Sequence, residues 1–158
     1  MYIWHCKITS MKNIHDTATL QEFIQRIEQL KPGAEHQWGK MSVSQMMAHC
    51  SNALEVNLGD RESKQSFIGK IFGKLAKKSV VSDKPFKQNL PTAPGFVVTD
   101  TRDFNAEKQR LLSLLKRLSA KDPASLSKVH PFFGTMTPEE WNMLNYKHLD
   151  HHLRQFSA

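Results

Sequence analysis

The sequence predicts an all-α protein, and two observations lead to that class. Four long segments place apolar residues three or four positions apart, the spacing that gathers them on one face of a helix. No segment shows convincing strand character, which would need short runs of alternating polar and apolar residues. The chain has 158 residues, 39% of them hydrophobic and 23% charged, which is typical of one globular domain with a real core.

Predicted helix 1 runs from Thr19 to Leu30. Thr19, with Glu22 three residues later, has the pattern of a capping box, and a Lys-Pro-Gly turn at 31–33 ends the helix. Its apolar stripe consists of Leu20, Phe23, Ile24, Ile27 and Leu30.

Predicted helix 2 begins after Ser42, which has a capping-box partner in Gln45, and ends at Gly59. Its apolar positions are Val43, Met46, Met47, Cys50, Ala53, Leu54 and Leu58. His49 lies at the edge of this apolar face. Spacing alone leaves open whether it is a functional residue or a partly exposed surface histidine.

The helical spacing of apolar residues is less regular between Asp60 and Asp103. A short amphipathic helix is indicated where apolar residues alternate with lysines, and we expect its apolar side to cover a side or an end of the fold. Those apolar residues are Phe67, Ile68, Ile71, Phe72 and Leu75. A proline-containing stretch follows and is predicted to be extended or to form turns. Predicted helix 3 then covers Asn105 to Ser119.

Predicted helix 4 starts from a strong N-terminal pattern and continues to the end of the chain. Thr137 can cap it, Pro138 suits the first helical position, and two glutamates follow in the first turn. Its apolar face consists of Trp141, Leu144, Leu149, Leu153 and Phe156. His148 and His152 project from the middle of that face, and His151 lies toward its edge.

The lengths of the connections predict the topology. Helices 1 and 2 are joined by a short link and should be antiparallel neighbours. The link from Asp60 to Asp103 has about 44 residues, far more than a hairpin needs. The simplest arrangement is a four-helix bundle in which this link crosses over and helices 2 and 3 point the same way.

An imidazole on an apolar face must be hydrogen-bonded or bound to a metal. His148 and His152 are four residues apart, about 6 Å along a helix axis, so both rings can reach one ion. Satisfied core or surface histidines are the alternative. His130, in the turn before helix 4, either lines the mouth of such a site or packs beside Pro131 and Phe132.

Cysteine content and charge limit the classes of function. Cys6 and Cys50 form no disulfide framework and no CxxC pair, which favours a cytoplasmic setting and excludes thiolate-rich zinc sites. Cys50 follows His49 directly, and adjacent helical residues diverge by about 100°, so a Cys-His catalytic pair is not expected. No apolar run is long enough to span a membrane. Residues 1–15 are predicted to be an N-terminal extension to a single domain over 16–158, with Met11 an alternative start.

The net charge of +7 is concentrated in one part of the chain. Between Arg61 and Gln88, called the basic segment below, eight lysines and arginines face two acids. Binding to nucleic acid or to an anionic membrane surface is one interpretation, and a solvated loop is the other. Because few aromatic residues are placed for base stacking, we expect only weak, salt-sensitive, non-specific binding to nucleic acid.

Four stretches together resemble the DinB-like superfamily, within a branch catalogued as a domain of unknown function. They are Trp38-Gly39 with MSVSQMMAHC, SDKPFKQNLPTAPGF, HPFFGTMTPEEW and YKHLDHHLRQF. The resemblance extends from Thr19 to Phe156. It implies an up-down-down-up four-helix bundle, often a homodimer, that binds a divalent metal through one histidine of helix 2 and an H-x3-H pair of helix 4. Here these are His49, His148 and His152, followed by the matching Arg154-Gln155.

Three functions stay open at this point. The first is a metal-dependent enzyme, a transferase or hydrolase whose open metal position accepts a small or thiol-bearing substrate. The second is a binding module that holds a metal or ligand without turnover, and the third is nucleic-acid or membrane binding through the basic segment. Zinc, nickel, iron and copper all accept imidazole ligands, so the ligand type does not select the metal. No carboxylate cluster, phosphate loop or serine-nucleophile motif is present.

Overall fold

A computed structural model describes residues 12–62 and 64–158 and is mostly helical, as predicted. The described residues form helices α1 (Thr17–Gln29), α2 (Val43–Leu58), α3 (Phe67–Val80), α4 (Phe104–Ala120) and α5 (Pro138–Gln155). Cys6 and Met11, with most of the predicted extension, lie outside the described residues. Ile14, at the end of that extension, is fully buried in the core.

A small hairpin was not predicted. Strands β1 (Val129–His130) and β2 (Gly134–Thr135) pair antiparallel just before α5. Each has only two residues, too few for the alternation that identifies a strand in a sequence. Among the described residues, none of the helices combines the length and the apolar character that a membrane crossing needs.

The predicted start of the first helix is wrong. Asp16 is the N-cap of α1 and makes no side-chain capping bond, while Thr19 lies inside the helix and is buried. The Thr19–Glu22 spacing therefore matched a capping box without forming one. Phe23 and Ile27 are fully buried, which confirms the centre of the predicted stripe.

The start of α2 is confirmed. The Ser42 hydroxyl accepts a bond from the Gln45 backbone N–H, and the Gln45 side chain accepts one from the Ser42 N–H. Gly59 ends the helix in the left-handed conformation (φ +82°), which glycine adopts without steric cost. These two ends fix the register of α2 and hence the position of His49.

The short helix α3 is confirmed, but the predicted orientation of its faces is wrong. Phe67, Ile71 and Phe72 are exposed, whereas Gly69 and Gly73 are buried. A Cβ at either glycine would collide with the Phe132 carbonyl oxygen in the turn before β2. Close backbone contact through the two glycines therefore turns the large apolar side chains outward.

Helix α5 begins as predicted, with a complete capping box between Thr137 and Glu140 and a proline at the first position. Helix α4 begins one residue before the predicted start, and the Asp103 carboxylate caps it. Leu144 of α5 lies in a second, smaller apolar cluster. The other leucines with helical spacing in the two helices lie in the main core and are Leu111, Leu112, Leu115, Leu118, Leu149 and Leu153.

Helices α1 and α2 each pack against both α4 and α5 around this core. Polar contacts mark which ends meet. Arg110 of α4 pairs with Glu55 of α2, and Arg117, one turn from the end of α4, pairs with Asp60 just after α2. Arg26 of α1 pairs with Asp150 of α5.

Candidate metal centre

Three histidines from two helices meet between α2 and α5. His49 comes from α2, and His148 and His152 from successive turns of α5. Their potential ligand atoms all lie within 4.8 Å of one another, and no carboxylate or thiol of the described residues joins the group. We call this group the three-histidine cluster. It is the arrangement that the resemblance implied.

Buried residues flank the histidines in both helices. Met46 and Met47 of α2, one turn before His49, are fully buried, as is Leu149 beside His148. Farther along, Asn145 of α5 donates a buried 2.7 Å hydrogen bond to Asn57 of α2. His49 is only 5% exposed, so it is not the surface histidine that was the alternative.

Hydrogen bonds at Nδ1 fix the tautomers of two rings. His49 Nδ1 lies 2.9 Å from the Phe96 carbonyl oxygen, which can only accept, so Nδ1 has the proton. Gln155 donates through Nε2 to the Trp38 carbonyl, which leaves its Oε1 to accept from His152 Nδ1 at 2.9 Å. The Nε2 atom of each ring therefore carries no proton, and its lone pair can accept a hydrogen bond or bind a metal. This is how partners of metal-binding histidines usually act.

The Trp38-Gly39 motif has a structural role here. Gly39 has φ +87°, and a Cβ at this position would lie 2.5 Å from Gln155 Nε2. Glycine thus allows the loop to approach the Gln155 amide, whose other end orients His152.

All three rings are biased toward the neutral form. Burial lowers the pKa of His152 to about 3, with a further contribution from nearby His49. Burial also lowers the pKa of His49, and it lowers that of His148 strongly, helped by the neighbouring His152 and His49. A metal ligand must be unprotonated. The cluster is therefore ready to bind a cation at neutral pH.

The spacing of His49 and His148 fits one ion after a small adjustment. His49 Nε2 and His148 Nε2 are 2.8 Å apart. Two nitrogens bound at about 2.0–2.1 Å to one tetrahedral ion lie about 3.3 Å apart. Because His49 Nε2 is an acceptor, His148 Nε2 donates to it across this 2.8 Å contact. An ion would replace that shared proton and widen the pair by about half an ångström.

A cavity of about 510 Å³ opens next to the cluster. All three histidines line it, and its other walls are mostly aromatic or aliphatic, including Phe86, Phe96, Phe133 and Leu144. None of the described lining residues is acidic. A ligand in this cavity would meet the histidine nitrogens at one side and apolar carbon at the others.

His130, His151 and Cys50 lie outside the three-histidine cluster. His151 lies outside the cluster, with its ring 5.5 Å from that of Trp38. His130 packs against Phe133 and Trp141 and also forms part of the cavity wall, so both interpretations hold in part. Cys50 is buried in the core, which raises the pKa of its thiol and removes it as a nucleophile.

Two contributors to the site were not recognised as such in the sequence. Gln155 follows His152 by three residues, the spacing at which helical side chains meet, so this contact had a usable signal. The Phe96 carbonyl had none, because a backbone oxygen is common to every residue type.

A family model described as a protein of unknown function matches residues 9–158. The chain belongs to the DUF1569 family. Neither curated proteins nor solved structures yielded a match to this DUF1569 protein. The wider relationship to the DinB-like superfamily, and the homodimer that it implies, stay predictions.

Proposed function

We propose that this DUF1569 protein binds one divalent metal ion through the Nε2 atoms of His49, His148 and His152. The observation that supports this most is the pair of Nδ1 hydrogen bonds, since they direct the lone pairs of His49 and His152 into the cluster. Burial and proximity keep the rings neutral. Zinc, nickel and iron are the candidate ions.

We further propose that the site is catalytic, with a transferase or hydrolase activity on a small or thiol-bearing substrate. Three protein ligands leave one position of a tetrahedral ion open, as in catalytic rather than structural zinc sites. When bound, the ion would supply Lewis-acid chemistry to a substrate oxygen or hold a substrate thiolate. The chain would orient the substrate through the aromatic cavity beside the cluster.

A non-catalytic metal- or ligand-binding module is the second candidate. It is favoured by the absence of any acidic side chain among the described residues that line the cavity, since hydrolysis usually employs a general base. Cobalt-substituted protein tests the open metal position that the catalytic proposal requires. A small thiol that enters the open position should change the visible spectrum, whereas a site closed to substrates should leave it unchanged.

The proposed fold is a single up-down-down-up bundle over residues 16–158, formed by α1, α2, α4 and α5. The Arg110–Glu55 and Arg117–Asp60 pairs support it, because their residue numbers rise together along α2 and α4, as they do in parallel helices. The Asn57–Asn145 bond and the histidine cluster support an antiparallel arrangement of α2 and α5.

Titration of untagged, chelator-treated protein with zinc and nickel tests the metal proposal. We expect one ion per chain and a rise in thermal stability, because the folded site binds the ion and the unfolded chain binds it poorly. An ion present at about 100 times its Kd adds about 2.7 kcal/mol. Absence of saturable binding for both ions would contradict the proposal.

The Gln155→Leu substitution should lower zinc affinity by about 10- to 100-fold, the usual effect of removing a partner of a metal-binding histidine. Leucine keeps the bulk but cannot accept the His152 Nδ1–H or donate to the Trp38 carbonyl. Competition with a chromophoric chelator measures the change. Arg154→Leu, at the adjacent exposed position, is the matched control and should retain wild-type affinity. Equal affinities in both variants would show that Gln155 does not orient a ligand.

A further inference from the structure

Helix α3 presents five large apolar side chains to solvent. Phe67 is 77% exposed and Leu75 74%, and the others exceed half. These residues, called the apolar face of α3, are Phe67, Ile68, Ile71, Phe72 and Leu75. At about 100° per residue they occupy one continuous arc. Elsewhere in the described chain the only large apolar side chains this exposed, Leu90 and Val97, are isolated in the sequence. A contiguous patch of this kind marks an interaction surface.

Contacts on the opposite side of α3 hold this orientation. Gly69 and Gly73 pack on the Phe132 carbonyl, and the Gln65 amide donates to that same oxygen at 3.2 Å. Lys77 pairs with Glu140 at 2.9 Å. At the end of the helix, Lys147 of α5 donates to the carbonyl of Val80 at 2.6 Å. Turning the apolar face inward would break all of these contacts, so its exposure is built into the fold.

Lysines accompany the apolar face. Lys70, Lys74 and Lys78 are exposed along the same helix, and two more lysines follow it within the basic segment. The ion pairs that the structure gives this segment use Arg61, Lys64 and Lys77 instead. Lys70, Lys74 and Lys78 therefore face solvent without a described acidic partner within 4 Å.

We infer that α3 binds the surface of an anionic lipid bilayer, with its apolar face at the boundary between headgroups and acyl chains. An amphipathic helix with large apolar residues on one side and lysines beside them has the features of a helix that lies in this interface. All five side chains of the face are more than half exposed, as insertion requires. Its lysines would meet lipid phosphates at the level of the headgroups.

The composition of this surface argues against two other partners, a second copy of the chain and a nucleic acid. In a symmetric contact between two copies, the same patch lies on both sides, so two segments with a local excess of lysine would face each other. Nucleic acid would satisfy the lysines but would leave Ile68, Ile71 and Leu75 without an apolar partner. An anionic bilayer satisfies both halves of the surface.

Vesicle co-sedimentation tests the inference on the full-length chain. We expect binding to vesicles of phosphatidylcholine with phosphatidylglycerol to exceed binding to phosphatidylcholine alone by about 100-fold, from three lysines near the surface. Added salt should reduce this preference. The Ile71→Ser/Leu75→Ser variant keeps the net charge and should lose at least about tenfold in binding to the anionic vesicles. Lys70→Gln/Lys74→Gln should reduce the preference for anionic lipid by about 30-fold, because it removes two of these three lysines.

Val97→Ser is the matched control, since it removes an exposed apolar side chain elsewhere and should bind vesicles as wild type does. Both serine positions of the double variant are exposed, so its circular dichroism and thermal unfolding should match wild type. Equal vesicle binding by wild type and the Ile71→Ser/Leu75→Ser variant would overturn the inference. The inference would also be overturned if wild type bound no vesicles and instead formed a dimer that the Ile71→Ser/Leu75→Ser variant abolished. Binding of wild type to DNA, without sequence preference and without binding to vesicles, would overturn it too.

Discussion

His148→Ala and His152→Ala will each reduce zinc affinity by about 100- to 1,000-fold. Structural zinc sites with four ligands have apparent binding free energies of about 10–16 kcal/mol, or about 2.5–4 kcal/mol per ligand. At about 1.4 kcal/mol per tenfold, removal of one ligand gives that loss. The effect should exceed that of Gln155→Leu, because the histidines contact the ion and Gln155 acts only through His152.

His151→Ala is the matched control for both variants. It removes a histidine from the same turn of α5, but one that lies outside the three-histidine cluster. Its zinc affinity should stay at the wild-type value. Because His152 is buried, His152→Gln should be measured beside His152→Ala, together with circular dichroism of the metal-free proteins. Folded His148 and His152 variants that bind zinc as tightly as wild type would refute the three-histidine site.

The sequence predicted the part of the site that depends on spacing within one helix. His148 and His152 are four residues apart on the apolar face of a helix with a clear start, so their convergence followed from helix geometry. The contribution of His49 could not be predicted in this way. It lies at the edge of its own stripe, and only the packing of α2 against α5 brings it to His148. The family resemblance, not the spacing, supplied that third residue.

The orientation of α3 shows where periodicity fails. Its apolar spacing correctly predicted a helix, but periodicity does not say whether the apolar side faces the core or solvent. Here that choice depends on the contact of Gly69 and Gly73 with Phe132, more than fifty residues away in the chain. The predicted start of the first helix was wrong for a different reason. Thr19 and Glu22 have capping-box spacing, but the helix extends past them because tertiary burial of Thr19 outweighs the local signal.

Acidification should destabilise the metal-free protein, and His130 should account for a measurable share. Burial lowers the pKa of His130 to about 4, from an ordinary value of 6.5. Its Nδ1 also accepts the backbone N–H groups of Phe132 and Phe133, so a proton there would meet two donors. The unfolded chain therefore binds this proton more readily than the folded one. The contribution of His130 is fully present above about pH 6.5 and is lost as the pH falls from there to about 4.

Over that interval the loss should approach about 3 kcal/mol, at 1.36 kcal/mol per pKa unit. The matched variant is His130→Asn, whose side-chain oxygen can take the place of Nδ1 as acceptor but does not titrate. Urea unfolding in the presence of a chelator, between pH 7 and pH 4, measures how steeply the free energy of unfolding of each protein falls with pH. The histidines of the cluster titrate in both proteins, so the difference reports His130 together with its electrostatic effect on the pKa of His148. We expect wild type to lose stability more steeply than His130→Asn, and parallel slopes would show that the imidazole of His130 is not held neutral by its burial.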